Sequence, residues 1–392
     1  MCRAFGPCLF SSPLFLAAGG IHLHRVLYSY ILYKLYRRQL SNRATNRVVH
    51  KHGSLALSLG TALLGAAVVL WTIWPLLPVG RSTRPRTLLV YGFAIVEKTL
   101  TRSIFPAFQK KWKDRTGEEL EVIGSFGGSG TITNQLIMGV PAELAILSTE
   151  LDLLRLRQAG VLQTEAWKEL PHQGIVNRTP FVILVGRGNP KGIREFADLA
   201  RPGVRIVHPD PLTSGAANWA IMAEYGAALR RPGASSADGQ ALLLGIWRNV
   251  VSQAGSGRAA RTQFDNGFGD VLITYEQDIL GNSETGSRPF EIVYPRSTIS
   301  SEHTVVAINK HIRPGQRELV RAFLDFLWSD EAQRLFVKDG FRSVEDQFNR
   351  GNTKFGTVPD LFLIHDFGGW LEAKKNIIDG IWKDKVLREI RP

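Results

Sequence analysis

TLLVYGFAIV, residues Thr87–Val96, has the length and apolar, β-branched content of a strand buried on both faces. After it, Leu100, Ile104, Phe105, Phe108 and Trp112 recur at helical spacing between Glu97 and Arg115, and Gly117 closes the segment. ELEVIGSF (119–126) is a second strand, GGSG follows, and a helix is expected from Thr131 to Met138. AELAILS (Ala142–Ser148) is a third strand, and ELDLLRLRQAG (Glu150–Gly160) a third helix. Strand and helix alternate, which predicts a doubly wound α/β sheet.

The alternation runs on. TPFVILVGRGNP (Thr179–Pro190) reads as a strand entering a turn, and FADLARPGVRIVHPDP (196–211) as a short helix before another strand. Ser214 to Ala228 reads as helix, and the small residues Ala234–Ala241 as loop. Gly269–Tyr275, Phe290–Pro295 and His303–Asn309 read as strands, Arg317–Trp328 and Ser329–Lys338 as helices.

The chain has 392 residues and a formal charge of +13. That charge alone would suggest an anionic polymer or membrane as partner. Its distribution says otherwise. Residues 1–86 hold eleven Lys or Arg and no Asp or Glu, which leaves about +2 for the rest. The body is near neutral, and nucleic-acid binding is not expected of it. Both cysteines, Cys2 and Cys8, precede the body, so residues 87–392 hold no disulfide, thiolate metal site or cysteine nucleophile. The histidines are scattered without metal-ligand spacing, and no cofactor or metal is expected.

Ser54–Val79 is a stretch of 26 residues without a charge, long enough to cross a bilayer as a helix. Basic residues are dense before it and sparser after it, which favours the N-terminus inside and the body outside. It reads as an uncleaved anchor, with a signal peptide or a buried core helix as the alternatives. The apolar core is long for a signal, and no A-x-A site follows.

Four segments bear on function, all at expected strand ends. Ser125–Thr131 (SFGGSGT) places glycines before a helix, where unpaired N–H groups and the helix dipole suit an oxyanion. No Lys follows the last Gly, so it is not a Walker loop. A plain tight turn is the alternative. His208–Trp219 (HPDPLTSGAANW) opens a second helix on small residues, with Ser214 placed either to cap it or to offer its hydroxyl to a ligand. Ala254–Arg258 (AGSGR) reads as a flexible loop with one cation, which is expected to be solvated. Thr274-Tyr275-Glu276 ends a strand. Ligands of open α/β sheets sit at such ends.

The order GGSG, GNPK, PDPLTSGAANW, GDVLITYE, FGGW resembles the bacterial sulfate/thiosulfate-binding protein family over residues 87–375. The resemblance implies a two-lobed type II periplasmic binding protein fold preceded by the N-terminal transmembrane or signal helix. The charge and hydropathy pattern divides off a basic leader (1–53), the apolar segment (54–79) and a linker (80–86), and the resemblance implies lobe 1 (87–172 and 279–392) and lobe 2 (173–278). The resemblance also implies an extracytoplasmic, non-enzymatic protein that captures sulfate or thiosulfate for an ABC permease, and the near-neutral body is expected to be a monomer. Another oxyanion such as molybdate or phosphate, or an anion-sensing role, is the alternative. A hydrolase using Ser129 or Ser214 would need an activating base, and no His sits in a recognisable partner motif.

By the same resemblance, the ligand-binding residues are Ser129 and Gly130 at the first helix start, and Ser214, Gly215 and Ala216 at the second. Ser256 or Gly257 supplies a donor from the third segment, and Tyr275 stands where the family has an indole donor. Ala216 replaces a glycine, and Gly92-Phe93-Ala94 replaces the family's Tyr-Asp-Pro. Glu276 is expected to be structural, orienting a loop or pairing with Arg258.

Overall fold

Leu88 and Val90 are fully buried in β1 (Arg86–Phe93), which lies between two parallel neighbours, β2 (Leu120–Gly127) and β3 (Leu144–Leu147). The structure, a computed structural model, describes residues 85–281 and 290–390, with Leu64, Gly65, Ala67, Val68, Val69 and Thr72. The chain separates into two units, Met1–Thr83 and Arg84–Pro392. The expectation of a membrane segment at 54–79 lies outside the described residues apart from those six. No helix among the described residues is long and apolar enough to cross a membrane.

The connections are helical. Turns from Glu97 to Ile104 lead into α1 (Phe105–Thr116), which buries Phe105, Phe108 and Trp112. Then come α2 (Ser129–Ile137) and α3 (Glu150–Gln158). Beyond β4 (Ile175–Gly186) and β5 (Ile206–Pro209) lie α4 (Gly215–Leu229) and α5 (Ser236–Arg248). β6 (Val250–Ala254), α6 (Gly257–Asp265), β7 (Val271–Tyr275) and α7 (Glu276–Leu280) follow. β8 (Phe290–Val293), β9 (Ser297–Ala307), α8 (Arg317–Leu327), α9 (Asp330–Lys338), β10 (Asp360–Phe362) and further helical turns complete the body.

The strand order is β2-β1-β3-β9-β4-β7-β5-β6, with β10 on β9 and β8 on β4. Two long strands join the halves. Pro180 of β4 pairs with Ser300 of β9, whereas Phe181 onward pairs with β7. β9 pairs with β4 through Ser300–Thr304 and with β3 through Thr304–Ala307. Both strands run antiparallel to their neighbours on the main path, so the sheet is mixed rather than wholly parallel. This is the two-lobed type II periplasmic binding fold.

Three readings change. Ala234–Ala241 is not a loop: Ser235 and Asp238 form a capping box, which starts α5 despite the small residues around them. The segment at Ala254–Arg258 is not a flexible loop but a turn from β6 into α6. β6 itself escapes the apolar pattern because it is half-exposed. The second GGSG-side helix starts at Ser129 rather than Thr131.

Candidate functional site

Two sets of three parallel strands, β2-β1-β3 and β7-β5-β6, deliver their carboxyl ends to one small cavity of about 10 Å³. Drug-sized ligands occupy sites of roughly 300–1,000 Å³, so the cavity as it stands excludes a ligand of that size. Phe93, Ala94 and Ile95 line it after β1, and Gly127, Gly128 and Ser129 after β2. Ser148 follows β3; Ser214, Gly215 and Ala216 follow β5. Ser256 and Gly257 follow β6, and Tyr275 ends β7. No lining residue carries a charge.

Three helices, α2, α4 and α6, begin there. The first N–H groups of a helix have no partner within it, and its dipole is positive at that end. Close packing aims them together. A β-carbon on Gly128 would stand 2.3 Å from the Gly255 carbonyl and 2.5 Å from that of Thr213. One on Gly215 would stand 2.6 Å from both Cβ and Oγ of Ser148. Side chains there would force the helix starts apart. The Thr131 N–H donates to the Thr213 carbonyl at 3.3 Å, tying α2 to the turn before α4.

The hydroxyls divide into committed and uncommitted groups. Ser129 Oγ donates to Asp152 Oδ2 at 2.6 Å and accepts from the Ser148 N–H at 2.9 Å. Its backbone N–H, not its hydroxyl, is what it offers the cavity. Ser256 Oγ accepts from the Ala259 N–H at 3.1 Å, capping α6. Ser214 makes no side-chain cap to α4, although it occupies the capping position. Tyr275 Oη and Ser148 Oγ are 2.8 Å apart, and either can donate.

Burial shapes the charges behind the wall. It pushes the Asp152 carboxyl up, against the hydrogen bonds from Ser129 and Thr149 and the nearby Arg155 guanidinium. It pushes the Tyr275 phenol up too, so the residue stays protonated and able to donate. Arg258 donates through Nε and Nη2 to the Ala94 carbonyl, at 3.1 and 2.8 Å, and lies 3.5 Å from Glu97. It is thus a partly exposed helix residue tied to the turn after β1, and not a member of the cavity wall. Glu276 is structural as expected, but its partner differs: it pairs with Arg342 at 2.9 Å and accepts the Gly356 N–H.

Of the sequence-predicted residues, Ser129, Ser214, Gly215, Ala216, Ser256, Gly257 and Tyr275 line this cavity. Gly130 does not; it lies against the carbonyls of Leu212 and Thr213. Ser148 and the Phe93–Ile95 turn were missed. Ser148 ends the AELAILS strand, and its position at a carboxyl end was the signal that could have found it. Trp219 is fully buried and donates its indole N–H to the Ser148 carbonyl at 2.7 Å.

A two-lobed fold with a small donor-lined cleft defines an extracytoplasmic solute-binding protein. The chain belongs to the bacterial extracellular solute-binding protein family, whose model matches residues 88–342. It is 30% identical to a sulfate-binding protein of Synechococcus elongatus over 318 residues, covering 79% of this chain and 89% of that one. It is 33% identical to a sulfate-binding protein of Escherichia coli over 273 residues, covering 69% and 83%. Among solved structures, a sulfate-binding protein from Mycobacterium tuberculosis matches with a TM-score of 0.68 and 30% identity, covering 74% of this chain and 99% of that one.

Proposed function

We propose that the protein captures sulfate, or thiosulfate in its place, outside the cytoplasm and delivers it to an ABC permease. The observation that carries this reading is the donor set. The wall combines three helix starts, the uncapped Ser214 and the Ser148–Tyr275 pair, with no carboxylate. Sulfate at neutral pH carries acceptors only, and a carboxylate in the wall would repel it. The names of the relatives support the same ligand. Binding proceeds without turnover: the Ser129 hydroxyl donates to a carboxylate and has no histidine to activate it.

In this reading Ser129, Ser214, Gly215, Ala216, Ser256, Gly257 and Tyr275 surround the dianion. Lobe 2 spans 173–278, lobe 1 comprises 87–172 and 279–392, and residues 54–79 hold the protein at the membrane. Calorimetry against sulfate, thiosulfate, molybdate and phosphate tests the ligand. A chain that binds molybdate or phosphate and leaves sulfate free in solution defeats the assignment. Fractionation tests the anchor, which a freely soluble form beginning near Arg81 would disprove.

A further inference from the structure

A second polar cluster lies beneath the cavity and takes no part in its wall. His208, the penultimate residue of β5, is fully buried. Its Nδ1 is 2.7 Å from the Pro209 carbonyl, and its Nε2 is 3.2 Å from Glu224 Oε1 on α4. Glu224 is also fully buried, and its Oε2 accepts the indole N–H of Trp247 from α5 at 3.2 Å. The imidazole lies against the Trp247 ring, with centroids 4.6 Å apart.

The proton count follows from the partners. A carbonyl can only accept, so Nδ1 carries a proton and donates to Pro209. Nε2 faces a carboxyl oxygen, and that contact is a hydrogen bond only if a second proton lies between them. The proton sits on the imidazole, giving an ion pair, or on Glu224. Either way the pair is neutral as a unit, the state that complete burial favours.

What the pair holds is the junction of the three donor segments. The Pro209 carbonyl begins the turn that ends at Ser214. Within that turn Asp210 accepts from the backbone N–H groups of Thr213 and Ser214, at 3.2 and 2.9 Å. The Asp210 N–H donates to the Ala254 carbonyl at 2.7 Å, fixing the turn to the entry of α6. Thr213 accepts from Thr131 of α2. One turn therefore touches all three helix starts.

We propose that His208 is a positioning residue for the anion site, which with Glu224 and one shared proton braces the 209–214 turn from below. It touches no ligand. Its effect on affinity comes through the placement of Ser214, of the Thr213 carbonyl that holds α2 and of the Asp210 N–H that holds the entry of α6. The affinity part rests on the sulfate reading; the protonation part does not.

The test uses the full chain. Sulfate calorimetry on His208→Ala should show affinity lowered about tenfold, with Glu224→Gln within about threefold of the unaltered protein. A glutamine amide can donate to Nε2 and accept from Trp247 with no extra proton. ¹⁵N NMR of labelled histidine should show Nδ1 protonated in both the unaltered chain and Glu224→Gln, and this arm holds even where His208→Ala does not fold. A bare Nδ1 overturns the proposal, as does sulfate affinity unchanged in His208→Ala. An unaltered chain that binds no sulfate overturns the functional reading instead, leaving the NMR arm to decide the brace.

Discussion

The hydroxyl oxygens of Ser148 and Tyr275 lie 2.8 Å apart, each buried and each on the wall of the cavity. Between them they have two protons. One is used in their mutual bond, and the other is left for the ligand. Removing either hydroxyl frees the survivor's proton for the same task. Ser148→Ala and Tyr275→Phe alone should therefore weaken sulfate binding only a few-fold. The double variant removes the donor and should lose about tenfold to a hundredfold, since a hydrogen bond to a charged group is worth roughly 1.5–3 kcal/mol. Calorimetry on the four proteins reads the non-additivity directly; strictly additive losses would refute it.

Ser214 is the other uncommitted hydroxyl, 3% exposed and without a cap bond to α4. Ser214→Ala should weaken sulfate binding about tenfold to a hundredfold with the fold intact. Ser214→Asp should cost more, because it sets a carboxylate against a dianion with little solvent between them. Equal affinity in Ser214→Asp and the unaltered protein would remove this residue from the site.

Ser129 should behave differently. Its hydroxyl serves Asp152 and the Ser148 N–H, so Ser129→Ala leaves buried groups unpaired and should cost about 1–3 kcal/mol of stability. The Asp152 carboxyl is raised by burial, so its contribution is fully present below the unfolded value and lost as pH rises through the folded one. Losing the Ser129 bond raises it further. The stability penalty should therefore shrink on acidification, as denaturant melts at neutral and acid pH would record. A penalty independent of pH would argue against this coupling.

His303, on β9, is buried beside Asn177 of β4, with Nδ1 2.6 Å from Asn177 Oδ1. Burial depresses its imidazole from 6.5 to about 3. A lowered histidine contributes stability that is present above its unfolded value and lost as pH falls toward the folded one. Thermal midpoints should drop between pH 6.5 and 3. His303→Gln, which still donates to Asn177, should flatten that drop. An unchanged slope in the variant would place the acid sensitivity elsewhere.

The alternation of strand and helix was legible because strands buried on both faces are continuous apolar runs, as Phe181–Val185 and Leu144–Leu147 are. Helix starts were legible from small residues and serines after those runs. What escaped was set by tertiary contact. β6 is half-exposed and has no apolar pattern to announce it. Arg258 finds its carbonyl 164 positions away, and Glu276 finds Arg342 66 positions away; nothing local encodes either choice. Ser148 was passed over because a single serine at the end of an apolar strand looks like any other strand terminus.

The pairing of β3 with β9 sets an order of events. Leu144 meets Ala307, about 160 residues later in the chain. A body that crosses a membrane in chain order would present β1, β2 and β3 on the far side with the β3 edge bare until β9 arrives. Bare edges recruit other strands, and distant partners are slow to find. The same return strand that ties the two halves of the sheet together thus makes export the hazardous stage of this protein's life, and a translocation that stalls between these two strands would leave an adhesive half-sheet exposed.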